Sequence, residues 1–259
     1  MLSIKDIATY YSPAERVMDR NIFREYLQYQ ILYAISQSAL ARKLSFLGGT
    51  SLRLIYNNPR FSEDLDFDNF GLSDEEFTKI ADDVRSFLEE QGYTTEIQTI
   101  HRGAFRCNVR FPGILFENNL SPLRDEKVLI QIDSTAHNYS YIPDISSLEK
   151  FGTALLLQTT PLALLFAQKI LAVFNRPRML GRDFFDIAFI LGRDISPDYK
   201  YLQIKLDINS ADELRSRIQE KIKDLRFMEL AQDVDPFVYD KGQLIKVSEF
   251  QRFWKEAKL

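Results

Sequence analysis

Leu44-Ser45-Phe46-Leu47-Gly48-Gly49-Thr50-Ser51-Leu52-Arg53-Leu54-Ile55-Tyr56 reads as a short apolar strand, a glycine turn and a helix that Asn57-Asn58-Pro59 stops. Two glycines between a strand and a helix let the backbone approach a ligand closely. The helix that follows points free N–H groups outward, and its positive end favours phosphate. The hydroxyls of Thr50 and Ser51 can add side-chain hydrogen bonds. Taken alone, the same four residues also describe an ordinary helix start after a tight turn.

The next stretch is Arg60-Phe61-Ser62-Glu63-Asp64-Leu65-Asp66-Phe67, where Leu65 and Phe67 alternate with Asp64 and Asp66. Period-two alternation predicts a strand with both carboxylates on one face. At about 4 Å and an effective dielectric near 20, two such charges repel by about 4 kcal/mol. A hard divalent cation with oxygen ligands relieves that repulsion; an exposed polar strand edge is the plainer alternative.

Outward from this core, Ile22, Phe23, Tyr26, Leu27, Gln30, Ile31, Ala34 and Ile35 recur at helical spacing. Ser73 and Glu76 form a capping box for a helix running to about Glu90, and Gly92 ends it. Strand-like runs cover residues 94–100, 105–111 and 128–134, giving a mixed sheet of about five strands in the first 135 residues. In the last of these, Ile130 and Ile132 share one face and Asp133 lies on the other with Gln131. Asp133 is a third metal ligand, the base that activates a hydroxyl, or the polar end of the strand.

From about Thr159 the chain reads as helix. Thr160-Pro161 supplies an N-cap and a first-turn proline, and Ser210 with Glu213 forms a second capping box. Lys169 lies in the apolar run Leu162–Phe174, with Arg176 two turns on; Arg182-Asp183 and Asp186 follow, the two aspartates three residues apart on one helix face. Such cations suit phosphate and transition-state charge; an Arg–Asp network between two helices is the structural alternative. The expected fold class is α+β, a mixed sheet with flanking helices in residues 1–150 followed by a helical domain in residues 151–259.

Composition narrows the chemistry. A single cysteine, Cys107, in 259 residues excludes a disulfide framework and a zinc site of several thiolates. With two histidines, His101 and His137, a metal site here must rest on carboxylates. The net charge of −4 excludes a bulk polycation that coats nucleic acid. Its distribution is uneven: residues 62–90 hold eleven acidic groups against Lys79 and Arg85, whereas residues 151–193 hold five basic groups against Asp183 and Asp186. That asymmetry suits a metal on one wall and phosphates on the other, and equally a solvated acidic helix with surface arginines. No apolar segment follows a basic start and no run reaches roughly 18 apolar residues, so a cytoplasmic protein with no membrane span is expected.

The order and spacing of these pieces resemble the nucleotidyltransferase superfamily of the polymerase-beta type: Gly-Gly-Thr-Ser, then Asp-x-Asp, with Asp64 thirteen residues after Ser51. More narrowly, GGTSLRLIY and RFSEDLDF, with Lys169, Arg176 and Arg-Asp-x-x-Asp at 182–186, resemble the AbiEii/AbiGii toxins of bacterial type IV toxin–antitoxin and abortive-infection systems. The resemblance runs from about Phe46 to Leu191. It implies that Gly48, Gly49, Thr50 and Ser51 hold nucleotide phosphates, that Arg60, Ser62, Arg176 and Arg182 assist them, and that Asp64 and Asp66 bind Mg²⁺ or Mn²⁺. It implies catalytic roles for Lys169, Asp183 and Asp186, with Asp133 at the superfamily's third-carboxylate position. The segment Arg176–Gly181 departs from the expected short polar link. The implied activity is transfer of NMP from an NTP to an RNA, such as a tRNA 3′ end, or to a protein hydroxyl, with an antitoxin as partner. An inactive nucleotide- or RNA-binding module and an ATP-dependent phosphotransferase are the rival readings.

Overall fold

A computed structural model of the chain describes residues 1–102 and 104–259. They divide into two compact units, Met1–Asn57 with Phe61–Thr159, and Asn58–Arg60 with Thr160–Leu259. The 150/151 boundary expected from the sequence falls in a hairpin turn, and the first unit continues to Thr159.

The first unit opens with α1 (Ile4–Ala8) and α2 (Asp19–Gln37). The face of α2 read from the sequence is the buried one: Ile22, Phe23, Tyr26, Leu27, Ile31, Ala34 and Ile35 are all core residues. β1 (Leu44–Leu47), α3 (Gly48–Tyr56) and β2 (Leu65–Asn69) follow. Asn57, at φ 58°, closes α3 in the left-handed conformation that a helix C-terminus favours. α4 (Asp74–Glu90) starts at the complete Ser73–Glu76 capping box and buries Phe77, Ile80, Ala81, Val84 and Leu88. β3 (Glu96–Arg102), β4 (Ala104–Pro112), the short α5 (Ile114–Glu117), β5 (Lys127–Thr135), β6 (Asp144–Lys150) and β7 (Thr153–Thr159) complete the unit.

The sheet has seven strands in the order β3-β4-β5-β2-β1-β7-β6: the five expected in the first 135 residues, β1–β5, and two beyond them. β1–β7 and β2–β5 are parallel pairs and the other neighbours are antiparallel. The two added strands form the β6–β7 hairpin. Its turn residues, Phe151 at φ 57° and Gly152 at φ 73°, carry the two positive φ angles of a type I′ turn. A phenylalanine is a rare occupant of that conformation. Here its ring is enclosed by Tyr10, Tyr26 and Tyr29 at centroid distances of 5.0, 5.1 and 5.4 Å. Without an Asn-Gly or Asp-Gly signal, the sequence offers no sign of this hairpin. Leu155 and Leu157 are buried while Leu156 is exposed, so the Leu-Leu-Leu run alternates as a strand instead of feeding the next helix.

The second unit contains α6 (Leu162–Asn175), α7 (Gly181–Leu191), α8 (Tyr199–Leu206), α9 (Ala211–Ile222), α10 (Phe227–Val234), α11 (Ile245–Ser248) and α12 (Phe250–Glu256). Pro161, not Thr160, is the N-cap residue of α6, and no side chain caps it. Ser210 accepts from the Glu213 amide and caps α9, but the expected box is half formed: the Glu213 carboxylate accepts from the Asn209 amide at 2.9 Å instead of that of Ser210. Gly181 opens α7 hard against α10: a Cβ there would lie 1.8 Å from the Leu230 carbonyl oxygen. Phe184, Phe227, Phe250 and Trp254 form the aromatic centre of this unit. Arg215 donates to the Trp254, Lys255 and Ala257 carbonyls, tying down the C-terminal helix. Among the described residues, no helix is long and apolar enough to cross a membrane.

Candidate active site

The first unit builds its site around the β1–α3 turn. Leu47 pairs with Asp66 across the antiparallel β1–β2 ladder, so Gly48 emerges beside the Asp66 side chain. Gly48 has φ +80°, and a Cβ there would meet Asp66 Oδ2 at 2.1 Å. Glycine is therefore required twice, by the backbone angle and by the carboxylate lying over it. Leu47, the N-cap residue of α3, offers no side-chain cap, which leaves the first N–H groups of α3 without the usual side-chain acceptor.

Thr50 is buried, and its hydroxyl donates to the Asp64 carbonyl oxygen. That bond ties the loop helix to the segment entering β2, and it explains why the strand starts at Leu65, one residue later than the alternation suggests. Ser51 is fully buried, and its Oγ makes no hydrogen bond among the described residues. Asp64 and Asp66 are both partly exposed. The Ser62 carbonyl accepts from Gln28 Nε2 at 3.1 Å.

β2 lies parallel to β5 with Asp66 opposite Asp133, and Arg106 on β4 is the Asp133 partner on its other side. Asp133 Oδ1 accepts from Arg106 Nε at 2.8 Å and Oδ2 from Gln131 Nε2 at 2.7 Å. Two residues of this neighbourhood escaped the sequence reading. Arg106 is one. The other is Asp68, third in the alternating row, buried, with Oδ1 accepting from the Asn69 and His137 amides. The period-two pattern that picked out Asp64 and Asp66 extends to Asp68; the cross-strand position of Arg106 has no local signal. His137 meets the row through its backbone amide.

The second unit holds the other cluster. Asp186 is fully buried and accepts from Arg60 Nε at 2.7 Å, Arg60 Nη2 at 2.6 Å and Asn58 Nδ2 at 2.8 Å. Lys169 Nζ lies 2.8 Å from Asp186 and 3.3 Å from Asp183. Arg176 Nε lies 2.9 Å from Asp183. Burial works against the Asp186 charge, but Arg60 and Lys169 outweigh it and hold the carboxyl down to about 2. Burial likewise opposes the Lys169 charge, and Asp186 and Asp183 overcome it, so its pKa lies above the usual lysine value. Lys169 is thus a fixed cation. Arg182 stacks over the Phe237 ring at 5.1 Å. Cys107 is a buried strand residue whose thiol burial pushes up to about 12, outside any reactive range. His101 is partly buried, edge-on to Phe77 and Phe105.

The first unit's donors suit a divalent cation and a phosphate chain. Asp64 and Asp66 supply carboxylates, Gly48 leaves the space of a missing Cβ, and Ser51 offers a free hydroxyl. Among the described residues no group of three or more His, Cys, Asp or Glu side chains is arranged to hold a metal. Two carboxylates are enough for Mg²⁺, which commonly takes one or two from protein and the rest from water and substrate phosphates.

The family model described as Nucleotidyl transferase AbiEii toxin, Type IV TA system, matches residues 30–254. The crystal structure of JHP933 from Helicobacter pylori superposes with a TM-score of 0.56 at 18% identity, covering 92% of each chain. A second Helicobacter pylori structure, of a candidate nucleotidyltransferase, gives a TM-score of 0.56 at 17% identity, covering 92% of this chain and 95% of that one. At these identities the likeness is one of fold. No curated protein matches the chain by sequence.

Proposed function

The chain belongs to the AbiEii nucleotidyl transferase toxin family, and from that premise we propose that it transfers the NMP of an NTP to an RNA hydroxyl, foremost a tRNA 3′ end, with a protein hydroxyl as the other acceptor. The observation that carries this proposal is the contact between the Asp66 carboxylate and the Cβ-less backbone of Gly48 at an uncapped helix start. A metal-binding carboxylate and a phosphate-binding turn are thereby held as one unit.

In this reading the α3 N–H groups and the Ser51 hydroxyl bind the β- and γ-phosphates. Thr50 acts through Asp64, fixing the backbone from which that carboxylate projects. Asp64 and Asp66 would hold Mg²⁺ or Mn²⁺, which when bound neutralises phosphate charge and lowers the pKa of the attacking hydroxyl. The bond formed joins the acceptor oxygen to the α-phosphorus; the bond broken releases pyrophosphate. Lys169 is assigned to transition-state charge. Asp183 and Asp186 keep its ammonium in place, while Arg60, Arg176 and Arg182 hold the surrounding charge and packing. A type IV antitoxin is the expected cellular counterpart.

Purified protein incubated with Mg²⁺, each NTP and tRNA should release pyrophosphate and no nucleoside diphosphate. Asp64→Ala and Lys169→Ala should abolish release while both variants keep the wild-type far-UV spectrum. Release of ADP would assign the chemistry to the γ-phosphorus, and full activity in both variants would remove these two residues from the reaction.

A further inference from the structure

Asp133 and Arg106 are left over from that mechanism, and their geometry is specific. Both Asp133 oxygens are occupied by donors, Arg106 on one and Gln131 on the other. A cation bound by Asp133 would sit against the guanidinium held at 2.8 Å and be repelled by its like charge. Arg106 donates only through Nε: among the described residues its two terminal nitrogens make no hydrogen bond, and its side chain is 50% exposed. The guanidinium is a rigid fork of five N–H donors, so an anchor at Nε aims the remaining four. Its charge is permanent.

Position within the sheet says what those donors face. The phosphate turn follows β1, on one side of Asp66; Arg106 lies on β4, two strands away on the other side. Two strand spacings are roughly 10 Å. With the NTP phosphates assigned to the β1–α3 side, the β4 side is left for the molecule that receives the nucleotide. A half-exposed, pre-aimed guanidinium there matches a phosphodiester oxygen pair better than any neutral group.

We propose that Arg106 is an acceptor-binding residue that grips a backbone phosphate of the incoming polynucleotide, and that Asp133 is its positioning residue and not a metal ligand. The inference rests on the assignment of residues 48–51, Asp64 and Asp66 to nucleotide and metal. Asp133 occupies the place where a third metal-binding carboxylate is expected by order along the chain, but its charge is already matched by the guanidinium beside it. The site then has a two-carboxylate metal centre flanked by phosphate donors on both sides: backbone amides for the nucleotide, arginine for the acceptor.

The test measures binding. Mn²⁺ affinity is read from the EPR signal of free Mn²⁺, and affinity for fluorescein-labelled tRNA from anisotropy over a salt series. The proteins are wild type, Arg106→Gln, Arg106→Lys, Asp133→Asn and Asp66→Asn, with thermal melts to verify folding. Arg106→Gln should bind tRNA about tenfold more weakly and lower the slope of log affinity against log salt by about 1. Arg106→Lys should keep the slope and recover part of the affinity. Asp133→Asn should weaken tRNA binding while leaving Mn²⁺ affinity within about twofold, whereas Asp66→Asn should lose it about tenfold or more. Mn²⁺ loss in Asp133→Asn equal to that in Asp66→Asn would overturn the positioning role. Unchanged tRNA binding in Arg106→Gln, or no tRNA binding by a wild type that labels another acceptor, would overturn the phosphate grip. Mn²⁺ binding indifferent to Asp66→Asn would instead overturn the metal assignment on which the inference stands.

Discussion

Asp66 Oδ2 lies 2.1 Å from the point where a Cβ on residue 48 would sit. The two residues come from different strands and are brought together by the Leu47–Asp66 pairing of β1 and β2. Gly48→Ala must therefore both strain a backbone at φ +80° and push the carboxylate aside. The left-handed angle alone costs roughly 1–2 kcal/mol with a Cβ present. The expected outcome is a folded protein with a lower melting temperature and Mn²⁺ affinity reduced about tenfold or more, measured by thermal melt and EPR. Wild-type affinity would mean that Asp66 is not a metal ligand.

Asp186 should dominate the stability of the second cluster. Asp186→Ala leaves Arg60 and Lys169 without their shared buried counter-charge, a loss of about 3–5 kcal/mol. Arg60 and Asp186 side chains are 3% and 0% exposed, so water cannot replace the carboxylate. Urea denaturation gives the number directly. Asp183→Asn, which leaves Asp186 in place, should cost less.

The pH dependence has a defined sign. The Asp186 pKa falls from 3.8 to about 2 on folding. Its contribution, about 2 kcal/mol, is therefore fully present above pH 4 and lost as the pH falls through the folded value. Comparing urea midpoints at pH 5 and pH 2.5 for wild type and Asp186→Asn isolates it. The variant should lose less stability across that interval.

Glu25 is the corresponding buried carboxylate of the first unit, paired with Arg53 on α3. It is 2% exposed and accepts from Tyr11 at 2.9 Å, Arg53 on α3 at 2.8 Å and Lys150 at 2.7 Å. Burial opposes its charge, yet Arg53 and Lys150 outweigh it and hold its pKa below the usual value. Glu25→Ala should cost about 3–5 kcal/mol by urea denaturation, and hydrogen exchange should rise in α3.

The contrast between what the sequence disclosed and what it hid is physical. Gly48 and the Asp64–Asp66 alternation were legible because a positive φ and a two-residue period are local demands written in residue type. The Ser73–Glu76 capping box was legible for the same reason. Arg106 was not, since its placement beside Asp133 depends on the register of two strands more than twenty residues apart. The β6–β7 hairpin was hidden because Phe151 occupies a turn position normally signalled by Asn, Asp or Gly, held there by tyrosines from α2 and the segment preceding it. The charged motif around Lys169 was visible, but not that Arg60 and Asn58, more than a hundred residues earlier, complete it around Asp186. Long-range pairing, not composition, made each of these.

The most direct test is to incubate the protein with each α-³²P-labelled NTP, Mg²⁺ and total bacterial RNA, then resolve the products on a denaturing gel beside Asp66→Asn. Label in an RNA band with wild type, absent with Asp66→Asn, is the predicted result and gives the base preference at once. Label confined to protein would replace the RNA acceptor with a protein hydroxyl. RNA labelling undiminished in Asp66→Asn would contradict the account at its centre, because transfer would then proceed without the carboxylate that Gly48 is built to admit.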